Sequence, residues 1–124
     1  MIIVDSCGWL AWFTNGNLAD SYERYLVDQK NILMPTIVLY EVYKILKREA
    51  GEEKALLAAG YMENSTVIPL DEELALAAAD VALQERLAMA DAIIVAAAQK
   101  NNSKIITSDT DLKDHSSVTY IPKN

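Results

Sequence analysis

Four short apolar runs, Ile2–Val4, residues 31–34, Thr66–Ile68 and Lys104–Thr107, are separated by segments long enough to hold helices. Parallel strands can be joined only by long crossovers, usually helical, and those helices cover the sheet. Short apolar strands alternating with helical segments therefore predict an α/β fold: a parallel sheet buried on both faces. Residues 118–121 supply a fifth strand. Between the strands, residues 5–29 read as two short helices, the second over 19–29. Thr36 is placed to cap a helix that reaches Ala50, where Gly51 stops it. Further helices are expected over residues 52–63, over an alanine-rich stretch from Asp71 to about Gln84, and over 90–100. The 124 residues are 52% apolar, which suits one domain, 1–124, with a core that needs no disulfide or structural metal.

Charge narrows the function. The formal net charge is −7, which argues against bulk attraction to nucleic acid or to an anionic membrane. Any nucleic-acid role must rest on a local basic patch or on bound cations. The longest apolar run, residues 92–98, is far too short for a membrane span. The opening MIIVDS has no basic start, so no signal peptide is expected. Cys7 is the one cysteine, so no internal disulfide forms. These features fit a cytoplasmic protein with no membrane role.

In parallel sheets, ligands sit beyond the carboxyl ends of the strands. Asp5 ends the first strand there, although it and Ser6 are also good helix caps. Glu41 lies four residues after Ile37 and four before Ile45, on the apolar stripe of its helix. A buried carboxylate there must find a partner or take up a proton. Lys44, one turn on, is the ordinary partner. Asp91 opens a helix, where acids suit the dipole, and its context does not fix which rim it occupies. Asp109 and Asp111 follow the strand Lys104–Thr107, in a segment that is also good turn chemistry. Asp114 is read as solvated. Each acid has an ordinary explanation alone. Together, Asp5, Glu41, Asp109 and, if its rim agrees, Asp91 would form a pocket whose mutual repulsion a divalent cation relieves. Oxygen donors without His or Cys favour Mg²⁺, with Mn²⁺ as substitute, over Zn²⁺.

The segments MIIVDSCGW, TIVLYEVYKIL with Glu41 inside it, ADAIIVAAA and ITSDTDL, in that order, resemble the PIN-domain ribonucleases. Within these, the chain resembles the VapC-type toxins of prokaryotic toxin–antitoxin pairs, over nearly its whole length. The resemblance implies a three-layer α/β/α sandwich with a mainly parallel sheet of about five strands. It also implies metal-dependent endoribonuclease activity. It assigns the catalytic, metal-holding acids to Asp5, Glu41, Asp91 and Asp109, around one or two ions. Supporting roles fall to Ser6, Thr107 and Asp111. Leu112 departs from the pattern, since an aromatic often stands there. Implied partners are RNA, a cognate antitoxin and a second copy of the chain.

Lys44, Lys47 and Arg48 are candidate phosphate contacts, or equally a solvated helix face. Leu39, Tyr40 and Tyr43, or Trp9, Trp12 and Phe13, offer partner surfaces, or equally core. The competing reading is a non-catalytic protein that holds metal, RNA or a partner without cutting. Two other enzyme classes fit worse. A haloacid-dehalogenase-type phosphatase wants an acid where Cys7 stands. A receiver domain wants paired acids at Asp5-Ser6 and an Asp at Pro69-Leu70. His115 lies in a polar loop and is not a convincing base, and Cys7 reads as a small core residue.

Overall fold

The structure, a computed structural model, describes residues 1–123. The strands are β1 (Ile2–Val4), β2 (Leu33–Pro35), β3 (Thr66–Ile68), β4 (Lys104–Thr107) and β5 (Val118–Tyr120). The helices are α1 (Ser6–Phe13), α2 (Ala19–Leu26), α3 (Thr36–Ala50), α4 (Glu52–Met62), α5 (Glu72–Glu85) and α6 (Met89–Lys100). The first three connections thus each carry a helix pair, and β4 reaches β5 through a loop with one 3₁₀ turn, Thr110–Leu112.

All pairings are parallel. β1, β4 and β5 form one ladder, with Ile3 opposite Ile105 and Ile106 opposite Thr119. β2 and β3 form a second, with Met34 opposite Val67. A single parallel bridge, Ile2 to Ile32, joins the two into the order β3-β2-β1-β4-β5. The result is the expected α/β/α sandwich, its sheet held across the middle by fewer hydrogen bonds than at either side. From β1 the chain first moves outward to β2 and β3, then returns to lay β4 on the other side of β1. Such a reversal opens a crevice at the carboxyl ends of the two strands that flank it, here β1 and β4.

Ile3, Val4, Ile105 and Ile106 fill the core beneath that crevice. So does α6, in which every residue from 92 to 98 is buried. A helix apolar all round must lie between layers, and α6 packs on β1, β2 and β4 while α5 covers it. Its N-terminus is thereby fixed. A turn over residues 101–103, tied by the Ser103 N–H to the Ala98 carbonyl at 2.9 Å, reverses the chain straight into β4. α6 must then start where β4 ends.

Some boundaries differ from expectation. α2 stops at Leu26, because Tyr22 and Leu26 have no apolar successor at Gln29 or Lys30; a 3₁₀ turn, Gln29–Asn31, follows. Thr36 is the first residue of α3 rather than its cap, the cap position being taken by Pro35 with φ already near the helical value. The Thr36 hydroxyl instead accepts from the Leu70 N–H at 3.3 Å. Gly51, at φ 95°, makes the tight junction of α3 and α4 that L side chains resist. The sheet is not covered at its β3 edge, where Thr66 and Val67 are exposed. Among the described residues no helix is long and apolar enough to cross a membrane.

Candidate metal centre

Asp5 leaves β1 at the crevice and is 5% exposed. Its backbone N–H is still in the ladder, bonded to the Ile106 carbonyl at 3.0 Å. Its two oxygens are separately held. Oδ1 accepts from the Ser6 N–H at 2.7 Å, which caps α1, and Oδ2 accepts from the Thr107 hydroxyl at 2.8 Å. Capping and site chemistry thus coexist in one side chain.

Thr107, wholly buried, is the hinge between the two strand ends. While donating to Asp5, its Oγ1 accepts from the Asp109 N–H at 2.9 Å. Asp109 Oδ1 in turn accepts from the Asp111 N–H at 2.9 Å, leaving its other oxygen for the crevice. Asp111 is exposed and holds this loop through its backbone. Asp91, in the first turn of α6, comes from the opposite side. One carboxylate oxygen each from Asp5, Asp91 and Asp109 lies within 4.8 Å of the others.

Electrostatics register the crowding. Burial, and then the charge of Asp109, raise the Asp5 carboxyl, although the Thr107 and Ser6 bonds pull it down. Burial plus the charges of Asp109 and Asp5 push Asp91 up to about 7. Glu41 lies outside the tight trio. Burial and the Asp5 charge raise it, while the Ser6 hydroxyl and Lys44 draw it back. Ser6 lowers both the Asp5 and the Glu41 carboxyls.

The donor set suits a hard cation. Oxygens held around an octahedral ion stand about 3 to 4 Å apart, so a small side-chain adjustment closes this trio on one centre. Burial, and then the charge of Asp5, raise the Cys7 thiol.

The other candidates are placed as follows. Lys47 pairs with Glu52 at 3.3 Å and Arg48 with Glu49 at 3.0 Å. Lys44 lies over the Tyr40 ring at 5.1 Å. Of the aromatics, Trp9 is fully buried. Trp12 and Phe13 are half-buried against Tyr61, beside a groove of about 720 Å³ that Leu46 and Leu57 also line. Leu39 and Tyr43 are half-buried, and Tyr40 is exposed. Both ring nitrogens of His115 are engaged, Nε2 with Glu85 at 3.0 Å and Nδ1 accepting from the Ser117 N–H at 3.1 Å.

Sequence reasoning passed over Tyr22 and Ser108. They are bonded hydroxyl to hydroxyl at 2.6 Å beneath the acids, and Cys7 Sγ lies 3.7 Å from both Tyr22 Oη and Thr107 Oγ1. Ser108 could have been suspected from its place directly after β4. Nothing local marks Tyr22.

The PIN domain family profile matches residues 2–117. No curated protein sequence matches the chain significantly. Among solved structures, a toxin–antitoxin complex from Klebsiella pneumoniae is similar at 20% identity, with 96% of each chain covered and a TM-score of 0.77. DNA-bound VapBC from Salmonella typhimurium is similar at 14% identity, with 98% of each chain covered and a TM-score of 0.77. VapC20 of Mycobacterium tuberculosis, described as a sarcin–ricin-loop-cleaving toxin, is similar at 19% identity, covering 84% of this chain and 85% of its own, with a TM-score of 0.73. At these identities the likeness is one of fold.

Proposed function

The chain belongs to the PIN-domain family, and from that premise we propose that it is a Mg²⁺- or Mn²⁺-dependent endoribonuclease, the toxin of a toxin–antitoxin pair. One observation carries the reading: Asp5, Asp91 and Asp109 bring three carboxylate oxygens within 4.8 Å of one another, in the crevice where the strand order reverses. A bound divalent cation supplies what phosphodiester hydrolysis needs, neutralising charge on the phosphate oxygens and lowering the pKa of water.

The chain's own residues do the rest. Thr107 holds Asp5 and Asp109 in fixed register, so two donors are oriented before any ion arrives. Asp91 completes the trio from α6, and the helix N-terminus behind it favours negative charge at that point. Glu41, raised by burial and by Asp5, is suited to hold or pass a proton at the edge of the centre. Lys44, near Glu41, is the α3 cation best placed to meet a phosphate, since Lys47 and Arg48 are paired with acids.

The partners proposed are RNA as substrate, a cognate antitoxin and a second copy of the chain, in the cytoplasm. Toxin–antitoxin complexes among the similar structures support the antitoxin. One observation favours the competing, non-catalytic reading: a chain of net charge −7 whose α3 cations are mostly paired has little of its own to hold RNA. Cleavage of an RNA pool with Mn²⁺, for the wild type and Asp5→Asn, separates the two. The nuclease reading expects metal-dependent cleavage that falls at least about a hundredfold in the variant, since losing even an outer partner of a ligand costs roughly ten- to a hundredfold. Metal binding without cleavage in the wild type favours the inert binder, and undiminished cleavage by Asp5→Asn removes Asp5 from the chemistry.

A further inference from the structure

Beneath the acids lies a run of buried and half-buried polar groups that the reaction does not itself require. Tyr22, on α2, is wholly buried, and its hydroxyl lies 2.6 Å from Ser108 Oγ and 3.7 Å from Cys7 Sγ. Cys7 Sγ is 3.7 Å from Thr107 Oγ1, the atom that bonds both Asp5 and Asp109. The ring reaches this place only because α1 carries Gly8. A Cβ there would clash with the Tyr22 ring and stand 2.7 Å from Val4 Cγ1.

Proton counting gives the chain a direction. An ionised Asp5 can only accept, so the single Thr107 hydroxyl proton goes to Oδ2. Thr107 Oγ1 has one lone pair filled by the Asp109 N–H, and the other can meet only a donor, which is the Cys7 thiol. With its proton so spent, Cys7 Sγ accepts from the Tyr22 hydroxyl. The Tyr22 oxygen then accepts from Ser108. The sequence Ser108 to Tyr22 to Cys7 to Thr107 to Asp5 uses every hydroxyl and thiol proton once, with none left over.

We infer that Tyr22 is a positioning residue for the metal centre: through Cys7 and Ser108 it fixes Thr107, and so the two strand-end carboxylates, in the orientation that receives the cation. This rests on the metal-dependent reading above. The alternative is a core tyrosine whose hydroxyl is merely satisfied. Tyr22→Phe keeps the ring and its seat on Gly8 and removes only the hydroxyl. Mn²⁺ affinity is measured by titration calorimetry on the intact protein without RNA, alongside metal-free melting and RNA cleavage across Mn²⁺ concentrations. The expected result is Mn²⁺ binding weakened about tenfold, the low end of what partners of a ligand cost. Half-saturating Mn²⁺ rises in step, KM for RNA at saturating Mn²⁺ is unchanged, and melting stays cooperative. Ser108→Ala, at the head of the same chain, shifts Mn²⁺ affinity in the same direction by less, and decides alone if Tyr22→Phe does not fold. Unchanged Mn²⁺ affinity in a folded Tyr22→Phe overturns the inference and leaves the nuclease reading standing. Mn²⁺ binding by a wild type that cuts no RNA overturns the nuclease reading alone, and no Mn²⁺ binding by the wild type overturns both.

Discussion

The strand-borne acids and the helix-borne acids of this centre are held in opposite ways. Asp5 and Asp109 sit at the ends of β1 and β4, and their carboxylates accept from groups fixed in the strand-end backbone and core: the Ser6 and Asp111 N–H groups and the Thr107 hydroxyl. Asp91 and Glu41 are delivered by α6 and α3, with position set by helix packing; Ser6 and Lys44 ease the charge on Glu41, while every influence on Asp91 raises its carboxyl. The repulsion shows in Asp91, raised to about 7 by burial and by the two strand-borne acids. The difference teaches a division of labour: the sheet edge supplies a tethered pair, and α6 supplies a charge whose cost the proposed cation would relieve.

Removing the helix-borne charge breaks this comparison most sharply. Asp91→Asn is expected to weaken Mn²⁺ binding and cleavage by at least about a hundredfold, more than loss of an outer partner. Yet it stabilises the metal-free fold at neutral pH and above. The sign follows from linkage. Asp91 moves from 3.8 in the unfolded chain to about 7 in the folded one. The folded state therefore holds the extra proton between those values, and stability falls as pH rises through them. Metal-free wild type should melt at lower temperature at pH 8 than at pH 5.5, and Asp91→Asn should flatten that slope. A variant that melts lower than wild type at pH 8 would contradict it.

Cutting the tethered pair comes next. Thr107→Val leaves Asp5 Oδ2 and the Asp109 N–H without their shared partner. A loss of Mn²⁺ affinity of roughly ten- to a hundredfold is expected, with a stability cost of about 1–3 kcal/mol for the unsatisfied groups. Calorimetric titration and denaturant melts read the two separately. Glu41→Gln, outside the trio, should cost cleavage about a hundredfold, the low end for a side chain that moves a proton, while changing Mn²⁺ affinity less than Thr107→Val does; equal losses of affinity would move Glu41 into the trio. The smallest effect belongs to Lys44→Ala. It should raise KM for RNA a few-fold and lower the salt slope of binding by roughly 0.7, the contribution of one single-strand phosphate contact. An unchanged slope would leave α3 a solvated face.

Much of the fold was legible because β-branched runs such as Ile2–Val4 leave few alternatives and because Pro35 and Gly51 punctuate the chain. Asp5 and Asp109 were legible for the same reason, since parallel strands end at one rim. The rim of Asp91 was harder. The information was present in the three-residue turn from Lys100 to β4, but its meaning depends on α6 being buried all round, a tertiary fact. Glu41 illustrates the opposite difficulty. Its apolar stripe announced partial burial, yet helical periodicity carries no measure of reach, and the side chain stops short of the trio. Tyr22 was illegible, because its role depends on contacts 15 and 86 residues away in sequence and on the missing Cβ of Gly8.

The most direct measurement is a crystal soaked in Mn²⁺ with data collected at the manganese absorption edge. The account predicts an anomalous peak in the crevice between the ends of β1 and β4, with oxygens of Asp5, Asp91 and Asp109 drawn to about 2.0–2.2 Å from it. A crevice without manganese at saturating concentration, or manganese bound elsewhere with these three carboxylates apart, would contradict it.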